Sequence, residues 1–374
     1  MTQSELDERI HQVRSEFELL SPFSAGYPVN QNFDYSALYP LLAFAANNIG
    51  DPFGYSRYQS NTHETEREVV HTIAEMVRLP AEEAWGYVTT GGTEGNMYGI
   101  YVGREMLREP VAYFSQDTHY SVLKILHVLK VRNIMIRSQA NGEIDYDDLR
   151  ESIRINRDAP ALIVANIGTT MKGAVDDLDR IRGIIEDLAL PRSYIHADAA
   201  LSGMILPFVD DPQPFGFDSG IDSIAISGHK MIGSPLPCGV VVTKREYTAQ
   251  IGRAIEYVGA LDTTLLGSRN AFTPMIIWYS LTKNGREGFR RMVAQMLDTA
   301  EYAVQQFNAN GIPAWRAKNS ATVVFPRPSP YVLFQWQLAP LDDIAHLIAM
   351  PHVTRDMIDQ VIADCLEWPP EETP

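Results

Sequence analysis

Cysteine is scarce in this chain. Only Cys238 and Cys365 occur among 374 residues, too few for a disulfide framework and suited to a reducing compartment such as the cytoplasm. Long apolar runs are missing too, and none approaches the roughly 18 to 20 residues of a membrane span. Positive charge is in short supply: 31 Lys and Arg face 47 Asp and Glu, for a formal net charge of -16. Such a chain lacks the basic patches that nucleic acid or an anionic membrane surface requires, so neither is an expected partner. The first residues, Met1-Thr2-Gln3-Ser4-Glu5-Leu6-Asp7-Glu8, are polar and acidic, unlike the basic-then-apolar start of a secretory leader. No Cys-X-X-Cys or His-X-X-X-His spacing offers a metal site, and no Walker or Gly-X-Gly-X-X-Gly loop offers a nucleotide site. What is present is a globular composition, 45% hydrophobic and 21% charged. The length suffices for two domains and a large core.

Leu6, Ile10, Val13, Phe17 and Leu20 recur at helical spacing and predict an amphipathic helix over residues 4–20. Pro22, Gly26 and Pro28 then break it. Helices are expected at 35–47 and 64–78. From Trp85 strands and helices alternate. Strands are expected at 85–89, 111–115, 132–137 and 161–166, and helices at 94–107, 119–130, 146–156 and 177–188. One further strand ends at Asp198, another precedes Ser227, and a third covers 238–243. The run Ala161-Leu162-Ile163-Val164-Ala165-Asn166 is apolar almost throughout, as where both faces of a strand are covered. This alternation predicts an α/β fold with a mostly parallel sheet and helices on both faces. After about residue 265 the character changes. A helix is expected from Ser268 past Trp278 and another over 287–309. Strands follow at 312–316, 321–326, 331–336 and 346–350, then a helix at 355–367. The expected division is an N-terminal helical segment (1–50), a large domain (51–265) and a smaller α+β domain (266–374).

Two strand ends carry the chemistry. Ser227-Gly228-His229-Lys230 follows the apolar strand Ile221-Asp222-Ser223-Ile224-Ala225-Ile226, and His196-Ala197-Asp198-Ala199-Ala200 ends an earlier one. A lysine amine and a carboxylate are the two groups that pyridoxal phosphate (PLP) needs most, one for its aldehyde and one for its pyridine nitrogen. A nearby carboxylate keeps that nitrogen protonated. Parallel sheets place ligands at strand ends, where a desolvated pocket also lowers a lysine's pKa. Ala200 leaves room for a flat ring. Gly91-Gly92-Thr93-Glu94-Gly95-Asn96 follows a strand and opens a helix. Backbone amides there bind phosphate with help from the helix dipole, and the Thr93 hydroxyl can add a hydrogen bond. Asp117-Thr118-His119-Tyr120-Ser121 occupies another such turn, with His119 suited to stack on a planar cofactor. Asn166-Ile167-Gly168-Thr169-Thr170 offers threonines to the ring hydroxyl or the substrate. Each piece has a plainer reading as a solvated lysine, an N-cap aspartate, a capping turn or a loop. His196-X-Asp198 also reads as a metal pair, with His119 or His229 as a third ligand. Strand ends of one sheet cluster at one edge, and that convergence favours the cofactor.

The same stretches resemble the group II amino-acid decarboxylases of fold-type I. The likeness covers Trp85 to Thr89, Gly91 to Asn96, Asp117 to Val122, Gly142 to Leu149, Asn166 to Thr170, His196 to Met204, Ser227 to Ser234 and Gly267-Ser268-Arg269-Asn270. It implies that Lys230 carries the cofactor, that Asp198 partners the pyridinium, and that His119 stacks on the ring and contacts substrate. It implies Gly92, Thr93, Ser227 and His229 around the phosphate. Gly267 and Ser268 resemble residues that reach the phosphate of the neighbouring subunit's cofactor, so a homodimer with shared active sites is implied. Tyr257 lies in a stretch resembling a mobile loop whose tyrosine protonates Cα. The pattern departs at Ala271-Phe272, where the family carries Gly-His. The reaction implied is decarboxylation of an L-amino acid to its amine. Histidine is the substrate the likeness favours, although plant-type members acting on serine look similar over the same blocks. Transamination, a non-catalytic PLP-binding homologue and a metal hydrolase stay open as alternatives.

Overall fold

The computed structural model describes residues 1–248, 250–255 and 260–370. Its largest element is a sheet of seven strands: β1 (Ala84–Thr89), β2 (Val111–Ser115), β3 (Arg132–Ile136), β4 (Ala161–Asn166), β5 (Ser193–Asp198), β6 (Ser223–Ser227) and β7 (Gly239–Lys244). They lie in the order β1-β7-β6-β5-β4-β2-β3. Only β7 runs against the rest, antiparallel to both β1 and β6. The mostly parallel α/β sheet read from the alternation is therefore the one that forms. Every residue of β1, β2, β4 and β6 is buried, whereas the edge strand β3 is partly open. Rings of Trp85, Tyr87 and Tyr98 pack beside β1, with centroids no more than 5.8 Å apart.

The helices are α1 (Gln3–Leu20), α2 (His63–Met76), α3 (Gly92–Leu107), α4 (Ser121–Val128), α5 (Tyr146–Ile155), α6 (Leu178–Asp187), α7 (Arg245–Thr248), α8 (Phe272–Ala309), α9 (Pro330–Gln335) and α10 (Arg355–Glu367). α5 and α6 start where Asp145 and Asp177 accept from first-turn N–H groups. α3 crosses the sheet on glycines. A Cβ at Gly95 would stand 3.0 Å from Ala225 Cβ, one at Gly99 2.2 Å from His196 Nδ1, and one at Gly103 2.7 Å from Tyr194 Cδ1. Glycine every fourth residue clears one face of the helix and lets it lie close on β5 and β6. Among the described residues, no helix is long and apolar enough to cross a membrane.

The chain forms two compact units. One comprises Val29–Gln295 and Ala317–Ser320, and holds the seven-stranded sheet and the pair β8 (Arg253–Ile255) and β9 (Ala260–Asp262). The other comprises Met1–Pro28, Met296–Arg316 and the chain from Ala321 onward. Its sheet is antiparallel, with β12 (Ile344–Ile348) between β10 (Thr322–Pro326) and β11 (Ala339–Leu341). The division expected at residues 50 and 265 follows chain order. The observed units instead join the two ends of the chain: Ala25 N–H donates to Trp336 O at 3.2 Å, and Ile348 N–H donates to Ala25 O at 2.8 Å.

Three elements differ from expectation. The helix expected at 35–47 is a 3-10 helix, Ser36–Ala43, with Pro40 inside it, and proline cannot donate the bond an α-helix needs there. The strand expected at 331–336 is α9, because Ser329 caps a helix whose first residue is Pro330. The strand expected at 312–316 is reduced to a single bridge, Trp315 to Val324. The two helices expected after Ser268 both form within α8 and meet at Gly285, whose backbone is not helical (φ 56°).

Candidate active site

Parallel pairing brings the strand ends level. Asn166 at the end of β4 is paired with Asp198 at the end of β5, and Asp198 with Ala225 on β6. Asp198 is buried. Its Oδ2 accepts from Asn96 Nδ2 at 2.8 Å and its Oδ1 from the Ala200 N–H at 3.3 Å. The turn after β6 is closed by backbone bonds: Gly228 N–H to Cys238 O at 2.8 Å, Ser234 N–H to Gly228 O at 3.0 Å and Gly233 N–H to Lys230 O at 3.1 Å. Lys230 keeps part of its surface open, but burial of its amine lowers its pKa, against the opposing pull of the Asp198 charge. His119, on the turn after β2, senses the same two residues. Burial lowers its pKa, Asp198 acts to raise it, and Lys230 and Lys124 act to lower it. Lys230 and His119 therefore both lie within reach of the Asp198 charge. The Ser121 N–H points at His119 Nδ1 at 3.3 Å, so Nδ1 accepts and Nε2 carries the ring proton.

The start of α3 lies beside the turn after β6. A Cβ on Gly92 would stand 2.9 Å from Ser227 Oγ, so glycine keeps the gap open. Gly91 caps the helix with no side-chain bond, leaving the first N–H groups without a side-chain acceptor. Thr93 is exposed on this turn and Ser227 is buried. Glu94 turns inward instead and accepts from Tyr87 Oη at 2.9 Å and from Thr90 N–H at 2.7 Å. His229 Nδ1 lies 2.9 Å from Cys238 O, and burial lowers its pKa. Thr169 is buried, with Oγ1 accepting from the Ala174 N–H at 3.0 Å. A desolvated amine, a carboxylate aimed by neutral donors and an uncapped, glycine-opened helix start form a donor set that fits a phosphorylated pyridine aldehyde.

Gly267 and Ser268 are exposed, and Ser268 Oγ accepts from Asn47 Nδ2 at 3.1 Å. Behind them Arg269 forms a buried ion pair with Glu66, which also accepts from Val88 N–H and Asn48 Nδ2 at 2.8 Å each. Ala271 is buried, and its carbonyl accepts from Thr62 Oγ1 at 2.8 Å. Tyr257 lies outside the described residues. His196 has both ring nitrogens committed, Nδ1 2.8 Å from Ser223 Oγ and Nε2 3.0 Å from Asn96 Oδ1. It therefore has no free nitrogen for a metal. Sequence reasoning passed over Asn96 and Ser223. Asn96 is 102 positions from Asp198, and the Ser223 side chain reaches Asp198 through His196 and Asn96. The available signal was a lone amide among the sheet-facing glycines of α3.

The comparisons with known proteins agree with this geometry. Residues 30–325 match the family model described as pyridoxal-dependent decarboxylase conserved domain. The chain is 49% identical to histidine decarboxylase of Morganella morganii over 349 residues, covering 91% of this chain and 92% of that protein. It is 48% identical to histidine decarboxylase of Pseudomonas entomophila (strain L48), covering 91% and 87%. Among solved structures, L-methionine decarboxylase from Streptomyces sp. 590 in complex with L-methionine methyl ester superposes with a TM-score of 0.90 at 26% identity, covering 99% and 96%. A family match across most of the chain, and relatives near half identical along nine-tenths of it, establish that this chain belongs to the pyridoxal-dependent decarboxylase family.

Proposed function

We propose that this chain removes the α-carboxylate of L-histidine as carbon dioxide and leaves histamine, using PLP, with two copies sharing their active sites. The observation that carries the reaction class is the pairing of β5 with β6, which sets Asp198 beside the turn that bears Lys230, with His119 within reach of both charges. The 49% identity to the Morganella morganii enzyme supports the substrate. The two free cysteines support a reducing, cytoplasmic setting. PLP, when bound, supplies a sink for the electron pair left at Cα as carbon dioxide departs. Lys230 would hold its aldehyde, Asp198 its ring nitrogen and His119 one ring face, with Thr169 and Ala200 beside the ring. Gly92, Thr93, Ser227 and His229 would hold its phosphate, and Gly267 and Ser268 the phosphate in the neighbouring subunit.

The residues themselves set the conditions for the reaction. Desolvation leaves more of the Lys230 amine unprotonated near neutral pH, ready to accept or return a proton at Nζ. Burial keeps the His119 ring neutral, so it offers Nε2–H as an uncharged donor. An uncharged donor suits a carboxylate whose charge must vanish, because binding that charge tightly would stabilise the ground state and slow the reaction. The proton returned to Cα comes from Lys230, His119 or Tyr257.

The test is direct. Purified protein with PLP and L-histidine is expected to release histamine and carbon dioxide in equal amounts. Lys230→Ala is expected to lose activity by on the order of a thousandfold or more. Release of a different amine from a mixture of amino acids would remove the substrate and keep the reaction. A keto acid product would remove the reaction as well.

A further inference from the structure

We propose that Asn96 and His196 are positioning residues that hold Asp198 as an oriented anion for the cofactor's ring nitrogen; the proposal rests on the cofactor reading above. Four side chains form one line through the interior. Ser223 Oγ lies 2.8 Å from His196 Nδ1, His196 Nε2 lies 3.0 Å from Asn96 Oδ1, and Asn96 Nδ2 lies 2.8 Å from Asp198 Oδ2. All four residues are buried. A carboxylate can only accept, so Asn96 must turn its NH2 to Asp198 and its carbonyl to His196. That carbonyl needs a donor, so His196 carries its proton on Nε2. Nδ1 then accepts from the Ser223 hydroxyl. Each bond points toward Asp198, and each donor is polarised by the one behind it. A carboxylic acid can still accept such a bond, but a carboxylate accepts it more strongly. The line therefore favours the ionised carboxylate.

Neutrality matters as much as direction. A cation next to Asp198 would compete with the ring nitrogen for the same charge. His196 is fully buried, and burial pushes its pKa down to about 4, against the opposing effect of Asp198. It orients without neutralising. Among the described residues, Lys230, on the turn after β6, and His119, on the turn after β2, also sense the Asp198 charge; both belong to the active site itself. The seat for the imidazole is built into α3. A Cβ on Gly99 would stand 2.2 Å from His196 Nδ1 and 2.8 Å from Ser223 Oγ, so the line exists only because position 99 has no side chain.

The experiment titrates apoprotein with PLP and follows the nitrogen-15 chemical shift of ring-labelled PLP against pH. Asn96→Leu keeps the volume and removes the donor. It is expected to weaken PLP binding about tenfold. It is also expected to lower the pH at which the ring nitrogen loses its proton by about one unit. Ser223→Ala, at the far end of the line, is expected to lower that midpoint by a smaller amount. Unchanged affinity and midpoint in folded Asn96→Leu protein overturn the proposal. Should Asn96→Leu fail to fold, Ser223→Ala decides, and an unaltered midpoint there overturns it equally. Wild-type apoprotein that takes up no PLP would instead remove the cofactor reading beneath it.

Discussion

A buried histidine that must stay neutral ties stability to pH. The His196 pKa falls from 6.5 to about 4 on folding. The unfolded chain therefore binds a proton that the folded one refuses. Stability from this site is complete above pH 6.5 and is lost as the pH falls toward 4, by about 3 kcal/mol in all. Asp176 works the other way, since burial raises its pKa from 3.8 to about 6, so its contribution shrinks as the pH rises through that range. Comparing His196→Gln with the parent cancels the Asp176 slope, which both proteins share. Urea unfolding at pH 7 and pH 4.5 is expected to show a smaller acid loss in the variant, by about 2 to 3 kcal/mol. An identical acid loss in both proteins would mean that the imidazole is charged in the folded state. At this scale Lys230 and Asp198 were legible because residue type and a strand-end position coincide. Asn96 was not, because only the crossing of α3 over β5 brings it to Asp198.

Elements were legible where their pattern was long and regular. The alternation from Trp85 to Asp198 and the amphipathic spacing of α2 and α10 translate directly into the elements seen. Short segments failed where a single residue outweighed composition. Ser329 and Pro330 turned an apolar stretch, Tyr331-Val332-Leu333-Phe334, into a helix. The glycines of α3 read as poor helix formers, and their value appears only against the sheet. Two glycines in helices accordingly make opposite predictions. Gly99→Ala places a methyl against a buried ring and is expected to cost about 3 kcal/mol or more in thermal or urea unfolding. Gly183, inside α6, has no neighbouring atom within 4 Å of the place a methyl would take. Gly183→Ala is expected to stabilise by about 0.5 to 1 kcal/mol through helix propensity alone. Equal effects at the two positions would show that α3 has slack against β5 and β6.

At the scale of the whole molecule, one copy leaves an apolar helix face uncovered. α1 has no buried residue, and its apolar positions Leu6, Ile10 and Phe17 are 37%, 60% and 70% exposed. A helix of this length gains most of its stability from covering such a stripe. The pairing proposed above would cover it with a second copy. Charge opposes the pairing, since each copy carries -16. An apolar interface between like-charged copies should therefore tighten as salt screens the repulsion, whereas one held by ion pairs should loosen. Sedimentation is expected to give a particle of twice 41.9 kDa, with a dissociation constant that falls as salt is raised from about 0.05 to about 0.5 M. Ile10→Glu combined with Phe17→Glu is expected to raise that constant by about two orders of magnitude or more. The resulting monomer is expected to keep its fold by circular dichroism and to lose activity, because each site would lack the part supplied by its neighbour. A fully active monomer would show that Gly267 and Ser268 serve no second subunit.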